Sequence, residues 1–255
     1  MTKYMTIKII QITDLHLNKD KEFMSHGINT FRSAKKIINE ILVKERNVNC
    51  MILSGDLVDD GTSKGYENLS ELLEEFSFPI YLMCGNHDSV ENLKNICITK
   101  KLYFKNFISI NNWGIYMFNT KKKNSPNGIL SENELMDFDQ SISNVKYMMV
   151  FLHHHPISIG SESMDRMMIE NSDELIARIK NQSKIRGVSW GHIHNEINFK
   201  INNVQLFSTP STCYQAKPKS KKFVIDYDAH PGYRVIKLSK NGVLETSVKR
   251  LNLEK

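Results

Sequence analysis

The sequence predicts a single α/β domain built on two mixed sheets. Short β-branched apolar runs alternate with helical patterns from Ile7 to Trp190, and the last quarter turns to paired strands. No Gly-, Ser- or Pro-rich linker separates the two regimes. The 255 residues exceed the usual domain size of about 100–200, but α/β domains of two sheets reach this length as one unit. Residues 1–255 therefore read as one domain, with a β-rich C-terminal part, about 196–255, completing the second sheet.

Taken in order, Ile7–Ile12 is a buried strand that stops at Thr13-Asp14-Leu15-His16. Phe31, Ala34, Ile37, Ile38, Ile41 and Leu42 recur at helical spacing over Thr30–Val43, behind Asn29 or Thr30 as cap. Val48–Leu53 is a second strand ending at Ser54-Gly55-Asp56, and Leu69, Leu72, Leu73 and Phe76 mark a second helix. Pro79–Met83 is a third strand, ending at Gly85-Asn86-His87-Asp88. Phe107–Ile110 and Ile115–Phe118 flank an Asn-Asn-Trp-Gly turn, and Ser131 with Glu134 has the spacing of a capping box. Tyr147–Leu152 runs into His153-His154-His155-Pro156; after a helix near Ser172–Lys180, Ile185–Trp190 runs into Gly191-His192-Ile193-His194. Beyond Lys180 no helix is expected: Asn198–Ile201 with Val204–Ser208, and Tyr233–Leu238 with Val243–Val248, read as hairpins.

Composition excludes several classes. Hydrophobic residues at 40% and charged residues at 24% describe an ordinary globular chain. No run approaches the ~20 apolar residues of a membrane helix, and the N-terminus lacks a signal-peptide body, which predicts a cytoplasmic protein without a membrane partner. Cys50, Cys84, Cys97 and Cys213 never fall in C-x-x-C spacing, so they read as reduced, mostly buried thiols. The formal charge of +6 suits anionic substrates but does not by itself indicate nucleic acid. The lysine runs at 121–123 and 217–222 read as solvated loops.

In open α/β sheets the site lies outside the carboxyl ends of the strands. Here five successive strand exits carry Asp-x-His, Gly-Asp, Gly-Asn-His-Asp, His-His-His-Pro and Gly-His-x-His. Each motif alone is weak, since Gly-Asp is commonly a plain turn and a lone histidine commonly a core or surface residue. Their joint occurrence at matching positions is the signal. Imidazole with carboxylate and amide oxygen, and no thiolate, suits Mn, Fe, Co, Ni or Zn in preference to Ca or a structural cysteine–zinc site. Asp14, His16, Asp56, Asn86, His154, His192 and His194 exceed the needs of one metal; with Asp56 bridging, they give four protein bonds to each of two cations and leave positions open for solvent and substrate.

These blocks resemble the five signature blocks of the calcineurin-like metallophosphoesterase superfamily, in the same order. Gln11-Ile12-Thr13-Asp14, Gly27-Ile28-Asn29-Thr30, the triple histidine, Ser208–Cys213 and Pro231-Gly232-Tyr233-Arg234 are similar to its bacterial class III 3′,5′-cyclic-AMP phosphodiesterase branch. The resemblance implies the metallophosphoesterase fold, a four-layer α/β/β/α sandwich in which helices flank two mixed sheets. It also implies two metal ions, Fe or Mn ahead of Zn, Co or Ni. Asp14, His16, Asp56 and His194 would hold one, and Asp56, Asn86, His154 and His192 the other. His87 would be the general acid or transition-state donor, and His16, Asn86, His87 and His194 would touch substrate. Asp88 would support His87 from behind or, equally, cap the following helix.

In the triple histidine the family's His-x-Pro spacing selects His154, and alternation is expected to turn His153 and His155 away from it. The implied reaction is hydrolysis of 3′,5′-cyclic AMP to 5′-AMP, by hydroxide generated between the two cations and in-line displacement. Other nucleotides or nucleic-acid ends form the alternative substrates, and a metal-free scaffold the non-enzymatic one. A small cyclic nucleotide is the expected partner, nucleic acid is not favoured, and homo-oligomerisation is left open.

Overall fold

A computed structural model describes residues 6–98 and 101–252. The first half of the chain gives β1 (Ile7–Ile12), β2 (Met24–Ser25), β3 (Ile28–Asn29), α1 (Thr30–Lys44), β4 (Cys50–Ser54), α2 (Ser63–Leu72), β5 (Ile80–Met83), α3 (Val90–Ile96), β6 (Leu102–Tyr103), β7 (Phe107–Ile110) and β8 (Trp113–Met117). The second half gives α4 (Glu132–Ser143), β9 (Tyr147–Phe151), α5 (Glu162–Asp165), α6 (Ser172–Asn181), β10 (Ile185–Trp190), β11 (Asn198–Ile201), β12 (Val204–Ser208), β13 (Gly232–Leu238) and β14 (Leu244–Arg250). One six-stranded sheet runs β14-β13-β1-β4-β5-β6, the other β11-β12-β10-β9-β8-β7. β1, β4 and β5 are mutually parallel, as are β8, β9, β10 and β12.

Strand alternation sorts the side chains into layers. Along β1, Ile7 and Ile9 join Ile52, Met83, Trp113, Met149, Phe151 and Phe207 between the sheets. Ile10 and Ile12 face the other way, into a cluster with Ile37, Ile41, Leu69 and Leu72 of α1 and α2. Tyr116, Val150 and Val188 of the second sheet pack likewise on Leu135, Phe138 and Ile179 of α4 and α6. The result is the four layers expected. Buried on both faces, the parallel strands need the near-continuous apolar runs from which they were read.

Two differences from the sequence reading matter. The late hairpins do not both complete the second sheet: β11 and β12 extend it, whereas β13 pairs antiparallel with β1 and carries β14 to the edge of the first sheet. β1 is buried on both faces, and β13 satisfies the row of backbone groups it would otherwise leave open. The second difference is at Leu73 and Phe76, which lie past the end of α2 although both are buried. The caps behave as written: Asn29 accepts from Arg32 N at 2.8 Å, and Ser131 from Glu134 N at 3.3 Å.

Candidate metal centre

All five motif loops meet at the carboxyl ends of the two sheets. Beneath them the sheets are tied by buried Gln11, which donates to Ser54 Oγ at 2.9 Å and accepts from Ser189 Oγ at 2.5 Å and Thr209 Oγ1 at 2.8 Å. Leaving a strand at once for the opposite wall of the cleft demands unusual backbone. Asp14, His16, Asp56, His192 and His194 all have φ between 46° and 66°, the left-handed region that few side chains adopt. Close approach adds to the demand: a Cβ at Gly85 would lie 2.2 Å from Asp56 Oδ1, and one at Gly191 2.1 Å from Thr13 Oγ1.

The donor atoms converge as the sequence pattern requires. His16 Nδ1 donates to Asp59 Oδ1 at 2.9 Å and His194 Nδ1 to the Tyr214 carbonyl at 2.9 Å, which fixes both tautomers and leaves a lone pair on each Nε2. Those two lone pairs face each other at 3.2 Å, with Asp14 Oδ1 3.5 Å from His194 Nε2 and Asp56 Oδ2 3.8 Å from His16 Nε2. Four acceptors pointed at one another fit around a cation. A second group forms on the other side of Asp56. His153 Nδ1 donates to the Ser54 carbonyl at 2.8 Å, and its Nε2 stands 3.3 Å from Asp56 Oδ2 and 3.2 Å from Asn86 Oδ1. The His192 and His153 rings are 5.1 Å apart, and His192 Nε2 is buried without a protein partner among the described residues. The residues thus fit two metals that share Asp56.

In the triple histidine the structure brings His153 and His154 together with His192 as one group that could hold a metal ion. His153, which the His-x-Pro spacing leaves without a ligand role, reaches Asp56 and Asn86. His154 contacts Thr120 Oγ1 through Nδ1 at 2.8 Å and packs on Gly128, and its Nε2, like that of His192, is buried without a protein partner among the described residues. Alternation continues out of β9: Met149 and Phe151 face the inter-sheet cleft, Val150 and Leu152 the helices, so position 153 is in phase with the cleft. His155 turns to Asp165, 3.5 Å away.

Asp88 neither touches His87 nor caps α3, whose cap is Ser89. Its carboxylate accepts from Gly85 N at 2.8 Å, Val58 N at 3.0 Å, Leu57 N at 3.1 Å and Tyr66 Oη at 2.8 Å, bracing the Asp56 and Asn86 loops together. The residue that orients His87 is Asp59, absent from the sequence reading; its Oδ1 is 3.2 Å from His87 Nδ1 as well as 2.9 Å from His16 Nδ1. A carboxylate three residues after Asp56 was the signal available. Ser208–Cys213 backs the site rather than lining it, with Ser211 Oγ donating to the Asp14 carbonyl at 2.8 Å.

Electrostatics follow from burial. Burial lifts Asp14 to about 6. Burial acts in the same direction on Asp56, but the His153 and His16 imidazoles outweigh it and hold that carboxyl well below the usual range. Burial drives His194 down to about 3 and keeps His154 and His192 neutral, the state in which imidazole ligates metal. Two imidazoles go the other way, each to about 9: the hydrogen bond to Asp59 raises His87, whose side chain is 40% exposed, and the Asp56 carboxylate outweighs burial at His153.

A four-layer α/β/β/α fold with a two-cation donor set at its strand exits defines a metal-dependent hydrolase. The chain belongs to the calcineurin-like phosphoesterase family, whose model matches residues 7–196. It is 31% identical to the 3′,5′-cyclic adenosine monophosphate phosphodiesterase CpdA of Haemophilus influenzae over 96% of this chain and 90% of that one. It is also 31% identical to the 3′,5′-cyclic-nucleotide phosphodiesterase alr5338 of Nostoc over 98% and 95%. Among solved structures, a dimetal phosphatase from Danio rerio superposes with a TM-score of 0.64 at 12% identity, over 96% of this chain and 99% of that one, a likeness of fold.

Proposed function

We propose that this chain is a dinuclear-metal phosphodiesterase that hydrolyses 3′,5′-cyclic AMP to 5′-AMP. One observation carries the chemistry: Asp56 stands between two convergent donor sets, 3.8 Å from His16 Nε2 on one side and 3.3 Å from His153 Nε2 on the other. The choice of cyclic AMP is supported by the names of relatives that match along nearly the whole chain. Asp14, His16, Asp56 and His194 would hold one cation, and Asp56, Asn86, His153 and His192 the other. The nitrogen and oxygen donors without thiolate suit Mn, Fe, Co, Ni or Zn, and the family resemblance favours Fe or Mn among them. When bound, two such cations lower the pKa of water and neutralise phosphate charge.

The chain's own residues supply the rest. His87 is protonated near neutral pH and oriented through Nδ1 by Asp59, so its Nε2–H is available to the departing 3′-oxygen. Asp59 fixes the His16 ring at the same time, coupling the acid to the metal wall. No helix among the described residues is long and apolar enough to cross a membrane. The four free thiols, three of them buried, fit a reducing compartment, and we read the enzyme as cytoplasmic.

The test is a substrate panel with metal-reconstituted protein: 3′,5′-cAMP, 3′,5′-cGMP, 2′,3′-cAMP, bis(p-nitrophenyl) phosphate and p-nitrophenyl phosphate. Preferred cleavage of 3′,5′-cAMP to 5′-AMP is expected. Cleavage of the monoester with cAMP left intact would overturn the reading.

A further inference from the structure

We propose that His26, Tyr214 and Phe223 form a shelf on which the purine base of the cyclic nucleotide stacks. The inference rests on the cyclic-nucleotide reading above and adds where the base goes. Tyr214 stacks on the candidate ligand His194, with ring centroids 4.5 Å apart and planes at 17°, and lies 5.4 Å from the His16 ring. Outside it stand two further rings. His26 meets Tyr214 edge-on at 4.6 Å, and Phe223 stands 6.1 Å from His194 and 5.9 Å from His26. Tyr214 is buried and acts as a spacer, whereas His26 is exposed and Phe223 is 37% exposed. An aromatic face left open one ring beyond a metal ligand is a stacking surface, and every base has a π-face to offer it.

The chemistry of the substrate selects this flank. In a 3′,5′-cyclic diester both ester oxygens belong to one ribose, so ribose and base lie on the leaving-group side of phosphorus. His87, the candidate donor to that oxygen, packs edge-on against His16 at 4.9 Å, and the same His16 ring is the one beside Tyr214. The cavity that reaches the site at Asn86, of about 420 Å³ and lined also by Val90, Asn119, Lys121, Lys123, Asn124 and Ser125, has no ring to stack on. A cyclic nucleotide is short, one fused ring separating phosphate from base, and the shelf begins one ring away from the metal wall.

Both supports of the shelf are anchored. Phe223 sits on a ribbon closed by Lys217 N to the Val224 carbonyl at 2.8 Å and Asp226 N to the Gln215 carbonyl at 2.9 Å, and Ser161 Oγ ties its tip to the Ser220 carbonyl at 2.9 Å. His26 is at the turn of the β2–β3 hairpin with φ of 48°. Two walls arriving from opposite ends of the chain are preorganised, so little ordering cost opposes stacking.

The experiment compares kcat/KM for 3′,5′-cAMP with that for the base-free 1-deoxyribose 3′,5′-cyclic phosphate in wild type, Phe223→Ala, Phe223→Tyr and His26→Ala, with metal content measured on each. Stacking of a base on one ring predicts that the ratio falls about tenfold in Phe223→Ala, chiefly through KM for cAMP, and is restored by Phe223→Tyr. His26→Ala should lower the ratio to a smaller extent, because it offers the smaller ring. An unchanged ratio in Phe223→Ala, or an equal loss on both substrates, overturns the shelf while leaving the phosphodiesterase reading intact. Wild type that cleaves neither compound overturns both.

Discussion

The two sheets contribute unlike halves to the candidate metal centre. Every carboxylate and the amide come from the exits of the first sheet: Asp14 after β1, Asp56 and Asp59 after β4, Asn86 after β5. The second sheet donates imidazoles only, His153 and His154 after β9, His192 and His194 after β10. The first half is thus anionic, and burial already lifts Asp14 to about 6; the second brings no carboxylate, and while burial drives its His194 down to about 3, the facing Asp56 and Asp14 carboxylates outweigh burial at His153 and raise it to about 9. Neither half is a complete site. Each donor set draws on both sheets, so bound cations would clamp the sheets together above the Gln11 hydrogen bonds.

The largest break in that arrangement is Asp56→Ala. One carboxylate serves both donor sets, and without it two cations would face each other less compensated. Metal content is expected to fall toward zero and turnover to the uncatalysed background, with a circular-dichroism spectrum unchanged. Two metals per chain with normal turnover would show that Asp56 does not bridge.

Next comes the contrast between neighbours in the triple histidine. His153→Ala should leave about one cation per chain in place of two, because its Nε2 faces Asp56 and Asn86. His154→Ala should retain both and lose at most about 10–100-fold in activity, the range for a residue that supports ligands from behind. Metal analysis of the two variants side by side decides between them: metal lost from His154→Ala and kept by His153→Ala would restore the assignment drawn from the His-x-Pro spacing.

That neighbouring pair also shows how far the sequence could be read. Strands such as Ile7–Ile12 and Ile185–Trp190 were legible to the residue because strands buried on both faces are predominantly apolar, and the ends of such runs located the exits. Asp14, His16, Asp56, Asn86, His192 and His194 followed, since chemistry at a parallel sheet collects there. What escaped depends on direction instead of position. His153 and His154 differ in which side of β9 they continue: the His-x-Pro spacing points to His154, whereas the alternation of Met149 and Phe151 puts His153 in phase with the cleft. Asp59 and Tyr214 act through a carboxylate oxygen and a backbone carbonyl, contacts that exist only after folding. The pairing of β13 with β1 escaped for the same reason, as hairpin signals fix the local partner and say nothing of which sheet the hairpin joins.

His87 sharpens the comparison because it belongs to the anionic half yet is held as a cation. General-acid assistance is worth about 10²–10⁴ in rate and grows with the basicity of the leaving group. His87→Ala should lose turnover in that range on cAMP, whose ribose alkoxide leaves poorly, and much less on bis(p-nitrophenyl) phosphate, with both metals retained. The sign of the pH dependence follows from its elevation to about 9: activity that needs the protonated imidazole is present below that pH and declines as pH rises through it. Equal losses on the two substrates would leave His87 as a phosphate-positioning residue.

The smallest effect is expected at Lys121, which the sequence reading set aside as part of a solvated run. Its ammonium donates to the Asn86 carbonyl at 2.6 Å and reaches the Gly85 carbonyl at 3.4 Å. It therefore holds from outside the loop that Asp88 holds from within. Asn86 is the weakest donor type in the second set, a neutral amide oxygen, so its contribution depends most on being aimed. Lys121→Met keeps the aliphatic stem and removes the donor, which should weaken the second cation about 10–100-fold, the range for groups that orient a ligand. Metal titration of the apo protein reads this as one unchanged and one shifted binding step, and Lys121→Arg should recover part of the shift. Two steps shifted together would mean that the lysine acts through the general positive field of the site, and no shift would return it to the solvated surface.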